Sequence, residues 1–139
     1  MINYRKVRLG DLLACEKLLA TPETVCFSGE YPTSDYLSHI MIDGMSFVAV
    51  NGFDEIVGCI FSEKLKCFGA LLDFMAVKTH YKRMGIGTQL LNHLKLEYAA
   101  NNIDWMILYS TTKSEINKSF YEKNGFINNG SFYEMGKLL

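Results

Sequence analysis

Residues 70–94 read ALLDFMAVKTHYKRMGIGTQLLNHL, and this stretch decides the fold. Ala70 to Lys78 is apolar almost throughout apart from Asp73, the pattern of a strand covered on both faces near the middle of a sheet. From Thr88 to Ala100, Leu90, Leu91, Leu94 and Tyr98 recur in helical register, and Asn101-Asn102 ends the helix. Between strand and helix the chain gathers Lys82, Arg83, Gly85 and Gly87. Glycines let a backbone approach closely, free N–H groups at a helix start point outward, and the helix dipole favours negative charge. The turn is therefore expected to hold a phosphate group. A P-loop is excluded because no G-x-x-x-x-G-K-[ST] string exists. A dinucleotide fingerprint is excluded because Leu90 stands where its third glycine belongs.

Working outward, Ile2 to Arg8 alternates as a first strand. Gly10-Asp11 opens a helix with Leu12, Leu13, Cys15, Leu18 and Leu19 on one stripe, and Thr21-Pro22 stops it. Thr33 or Ser34 caps a second helix carrying Tyr36, Leu37, Ile40 and Met41, which ends at Gly44. Ser46 to Val50 and Glu55 to Lys64 form a hairpin about the Asn51 to Asp54 turn. Trp105 to Tyr109 is a strand parallel to Ala70–Lys78 across the helical crossover. A short helix capped by Ser114 runs to Lys123, and Gly125 suits the left-handed position after it. Phe126 to Asn128 and Phe132 to Gly136 are expected to close the chain as a hairpin turning through Asn129-Gly130.

The bulk numbers bound what this chain can be. Its 139 residues fit one domain, 1–139, and 49% hydrophobic and 13% aromatic residues suffice for a core without disulfides or metal. A net charge of −1 argues against a nucleic-acid partner. Cys15, Cys26, Cys59 and Cys67 form no C-x-x-C pair and read as reduced thiols. His39, His80 and His93 lack metal-ligand spacing, so no metal is expected. A polar N-terminus and the lack of an apolar run of ~20 residues predict a soluble, cytoplasmic protein without a membrane segment.

LLDFMAVKTHYKRMGIGTQLLNHL resembles the signature motif of the GNAT superfamily of acyl-CoA-dependent N-acyltransferases, and FYEKNGF, Phe120 to Phe126, is similar to its second hallmark. Lys82 stands where that family has Gln or Arg, and Ser114 where it often has Asn. The resemblance implies an α/β class (α+β, with a mixed central sheet flanked by helices) in the order β-α-α-β-β-β-α-β-α-β-β. It also implies transfer of an acetyl group from acetyl-CoA to a primary amine, by direct attack in a ternary complex. The reading left beside it is a non-catalytic acyl-CoA-binding sensor or regulatory module, and a further one is a purely structural interaction protein.

By that resemblance the strands about Ala70–Lys78 and Trp105–Tyr109 splay to admit the pantetheine arm. Backbone groups of Met75, Ala76 and Val77 face the thioester, and Lys82, Arg83, Met84, Gly85, Ile86, Gly87 and Thr88 take the pyrophosphate. Ser114, Asn117 and Tyr121 lie along the arm. Tyr121 is the expected general acid, protonated at neutral pH with an ordinary pKa of ~10. Asp73, set in an apolar strand where burial raises a carboxylate pKa, is the expected base, directly or through water; pairing with a basic neighbour is the competing role. Glu30 and Glu63 are lesser base candidates. Phe27, Glu30, Tyr31, Tyr36, Tyr133 and Glu134 would line the acceptor side, a mixed aromatic and acidic wall suited to a small-molecule or peptide amine. An exposed strand edge near the C-terminus would permit a homodimer.

Overall fold

The computed structural model describes residues 1–21, 30–67, 69–110, 115–130, 133 and 135–137. The chain forms two compact units, Met1–Leu108 and Tyr109–Leu139. In the first, β1 (Asn3–Lys6) leads to α1 (Leu12–Leu18) and α2 (Ser34–Ile40). Then follow β2 (Phe47–Val50), β3 (Ile56–Lys64), β4 (Ala70–Val77), α3 (Ile86–Ala100) and β5 (Met106–Ile107). The second unit contains α4 (Glu115–Lys123). The sheet order is β1-β2-β3-β4-β5, antiparallel except for the parallel β4–β5 pair.

The sheet is covered on both faces, which is why β3 and β4 read as continuous apolar runs rather than alternating ones. On one face Cys59 and Phe61 of β3 and Val48 of β2 pack with Cys15 and Leu19 of the first helical segment and Leu37 and Ile40 of α2. On the other, α3 buries Ile86, Leu90, Leu91, Leu94 and Tyr98. Gly58 lies where α3 crosses β3: a Cβ placed there would come 3.1 Å from Ile86 Cγ2 and 3.3 Å from Leu90 Cδ1. Side chains on a strand alternate between faces, and Ser62, four residues along β3 from Gly58, bonds the Tyr98 hydroxyl of α3.

Thr33 is the cap of α2, its Oγ1 accepting from the Tyr36 amide at 3.2 Å. Ser34 does something else. Its amide and hydroxyl both donate to Glu16 Oε2, at 2.6 and 2.5 Å, so α1 ties down the start of α2. The β2–β3 turn is organised by Asn51, whose Oδ1 accepts from the Phe53 and Glu55 amides at 3.0 Å each. Asp54 takes the left-handed conformation there, φ 60°.

Three boundaries differ from the sequence expectation. α3 starts at Ile86 rather than Thr88, because Gly85 serves as its N-cap residue. β5 is two residues long rather than five, pairing only Ala70 with Met106 and Leu71 with Ile107. Phe126 to Asn128 carries no strand, and among the described residues none follows α4. Phe132 and Glu134, in the second arm of the expected hairpin, lie outside the described residues. What holds the intervening turn is Asn128, whose Oδ1 accepts from the Gly130 amide at 3.0 Å, an Asx turn that needs no strand pairing. Among the described residues no helix is long and apolar enough to cross a membrane.

Candidate functional site

The site begins where β5 stops. β4 continues from Leu72 to Val77 with β3 on one side and no β5 partner on the other. Along an antiparallel pair, successive residues turn their peptide groups alternately toward and away from the partner. The Lys78 amide donates to Val57 O at 2.8 Å, so Ala76 also faces β3. Met75 and Val77 then direct their N–H and C=O groups to the side β5 leaves uncovered. Of the three residues named from sequence, the two odd-numbered ones have the geometry to bond a ligand laid along β4.

Beyond β4, a single turn of 3-10 helix, Thr79–Tyr81, carries the chain to the glycine loop. Two consecutive features shape that loop. Arg83 takes φ 64° and Gly85 φ 79°, so the backbone twice enters the left-handed region before α3 begins. None of the amides of Arg83 to Thr88 donates to an acceptor among the described residues; the first amide satisfied within the helix is that of Gln89, on Gly85 O at 3.0 Å. Six adjacent donors at a helix start form an anion-binding concavity. A Cβ added at Gly85 would meet nothing within 4 Å, so the cradle opens outward. Lys82, Arg83 and Met84 are exposed around it. The Ile86 side chain is a core residue, 2% exposed, and only its amide can serve a ligand. These observations fit a diphosphate.

Asp73 lies in the same strand. The β3–β4 register shifts between Phe61 and Ser62, which pair with Phe74 and Leu72, and Asp73 is left as the extra residue of a β-bulge. Its Oδ2 is buried and has no hydrogen-bond partner among the described residues. Burial pushes its pKa up to about 7, and the nearby Glu63 and Asp43 charges push the same way. Among the described residues Asp73 forms no ion pair with a basic side chain, and the charges that act on it are the carboxylates Glu63 and Asp43. Tyr36 of α2 stands beside this strand, its ring edge-on to Phe74 with centroids 6.0 Å apart.

In the second unit, Tyr121 and Asn117 are half-buried on α4. The Tyr121 ring packs edge-on to Phe120 at 5.2 Å and to Phe126 at 5.4 Å. Burial raises its phenol to about 12, so the proton stays on at any physiological pH. Phe126 N donates to Tyr121 O and Gly125 N to Glu122 O, both at 3.0 Å, the paired bonds of a Schellman cap. FYEKNGF is thus a helix ending that also clasps its own tyrosine. Glu30 and Tyr31 are exposed, and Tyr133 is 96% exposed. Phe27, Ser114 and Glu134 lie outside the described residues.

Sequence reading missed Asn51 and Tyr81. Asn51 Nδ2 donates to the Tyr81 hydroxyl at 3.0 Å and to Glu55 Oε2 at 3.0 Å, and Glu55 pairs with Lys78. An Asn opening a hairpin turn was the one available signal, and it says nothing about a partner thirty residues away.

A family model described as an acetyltransferase (GNAT) domain matches residues 43–128. No curated protein matches. Among solved structures, Ard1 from Thermoplasma volcanium superposes with a TM-score of 0.82 at 21% identity, over 93% of this chain and 84% of that one. An acetyltransferase of the GNAT family from Staphylococcus aureus Mu50 gives 0.79 at 23% identity, over 99% and 94%. An aminoglycoside antibiotic 6'-N-acetyltransferase from Acinetobacter baumannii gives 0.78 at 12% identity, over 100% and 99%.

Proposed function

The chain belongs to the GNAT acetyltransferase family and is an acyltransferase, and from that premise we propose that it carries an acetyl group from acetyl-CoA to a primary amine. The observation that carries this reading is the run of amides from Arg83 to Thr88 at the head of α3, which have no acceptor among the described residues, beside the side of β4 that β5 leaves unpaired. Such a pair of features suits a ligand with a diphosphate at one end and an extended, amide-bearing arm at the other. Acetyl-CoA is that ligand, and its thioester supplies the activated acyl group.

In this proposal the amides of Arg83 to Thr88, with Lys82 and Arg83 at the rim, hold the diphosphate. Met75 and Val77 bond the arm in strand fashion, and one of their amides polarises the thioester carbonyl. Asp73 takes the proton from the incoming ammonium, directly or through water; a carboxylate with a pKa of about 7 is matched to that task. Tyr121 returns a proton to the departing thiolate. The reaction proceeds by direct attack of the amine in a ternary complex, and the full chain 1–139 acts as one domain. The match to the family model supports this, because its residues 43–128 run from the first unit into the second. Ser114 and Asn117 belong beside the arm, and Phe27, Glu30, Tyr31 and Tyr133 to the acceptor wall.

The decisive experiment is acetyl-CoA-dependent release of free thiol across a panel of amines. The wild-type protein is expected to release thiol with at least one amine class, and binding without release under every amine would instead indicate a sensor module. Tyr121→Phe should lower kcat by roughly 10²-fold, with acetyl-CoA binding retained. An unchanged kcat in that variant would remove Tyr121 from the chemistry.

A further inference from the structure

The glycine loop is held from a direction its own sequence does not reveal. The 3-10 turn that delivers it, Thr79–Tyr81, is fastened at both ends to the β2–β3 hairpin. At its near end, the Lys78 amide donates to Val57 O at 2.8 Å and the Lys78 ammonium pairs with Glu55. At its far end, the Tyr81 hydroxyl accepts from Asn51 Nδ2 at 3.0 Å. Asn51 is itself immobilised, because its Oδ1 and its main chain close the hairpin turn. One residue after Tyr81 the backbone starts toward Arg83, a non-glycine residue at φ 64°. Such a conformation is strained and persists only where neighbouring structure over-determines it.

We propose that the Asn51–Tyr81 hydrogen bond sets the position of the amides from Arg83 to Thr88, making Asn51 and Tyr81 positioning residues for the diphosphate of the cosubstrate. The inference rests on the acyl-CoA reading of the loop. Neither side chain needs to touch the ligand. The hairpin acts as a strut, Tyr81 as its point of attachment, and the strained turn beyond it inherits a fixed origin.

The test uses two thioesters, acetyl-CoA and S-acetyl-pantetheine, which lacks the diphosphate. Tyr81→Phe removes the hydroxyl and leaves Asn51 its bonds within the hairpin. It should raise KM for acetyl-CoA roughly three- to tenfold, the effect of one lost hydrogen bond. The kcat, and KM for S-acetyl-pantetheine, should stay unchanged. Asn51→Ala should shift KM for acetyl-CoA in the same direction, and the double variant should be no worse than the poorer single one. An unchanged KM in Tyr81→Phe overturns the proposal, and so does an equal shift for both thioesters, which would mean general distortion. Gly85→Val separates the levels. Loss of acetyl-CoA binding there, with Tyr81→Phe unaffected, removes only the tether. A wild-type protein that binds no acetyl-CoA removes the loop assignment itself.

Discussion

At the residue scale the most informative side chain is Asp73. Its charge was visible in the sequence, standing alone in an apolar run, but its role as the extra residue of a bulge was not, because a bulge depends on pairing register with β3. Its pKa is raised from the ordinary carboxylate value to about 7, so the native state holds a proton that the unfolded chain releases. Stability from this group is therefore complete below about pH 4 and is lost as pH rises through about 7. Denaturant midpoints measured from pH 4 to pH 8 should show wild type losing ground relative to Asp73→Asn across that window. Parallel curves for the two proteins would refute the raised pKa. Arg83 marks the other boundary of legibility. Its basic charge beside two glycines was readable, whereas its positive φ was not, since nothing in the residue type favours that conformation.

At the element scale, α4 shows how a short motif carries a mechanical meaning. Gly125 takes φ 90°, the Phe126 amide reaches back to Tyr121 O, and the Phe126 ring returns to the Tyr121 ring. The glycine was legible because a helix ending of this kind favours a left-handed residue, whereas the ring contact across it was not read from the sequence. Gly125→Ala should cost about 1 kcal/mol through backbone strain alone, since a Cβ there meets no atom within 4 Å. Urea unfolding followed by far-ultraviolet circular dichroism measures it, and a neutral result would mean the cap is dispensable. β5 was less readable: Trp105 to Tyr109 has the composition of a full strand, yet only Met106 and Ile107 pair. A divergence of two strands is a tertiary property, absent from the residues of either.

At the scale of the whole molecule, the element order through α4 was legible because each segment's period, cap and turn agree with one another. The closing hairpin was not secured by its Asn-Gly signal, since the Asx turn at Asn128 forms whether or not strands flank it. The acceptor wall is likewise the least written part of the chain; aromatic and acidic residues at helical spacing serve surface and core equally well, and Tyr133 is almost wholly exposed. If the proposed donor site is correct, acetyl-CoA at about a hundred times its Kd should stabilise the native chain by roughly 2.7 kcal/mol, raising Tm by about 5–10 °C. Differential scanning calorimetry checks this, and dephosphorylated pantetheine thioesters should raise it less.

Gly58 gives that global picture an unexpected handle. The head of α3 rests on it through Ile86, the same residue whose amide opens the helix toward the loop. A methyl group added there would press on the Ile86 and Leu90 side chains, 3.1 and 3.3 Å away, and any give at the head of the helix would carry the row of donors with it. A lesion hidden from solvent would then present as a defect in cosubstrate uptake, and anyone screening variants by affinity alone would look for its cause on the wrong side of the protein.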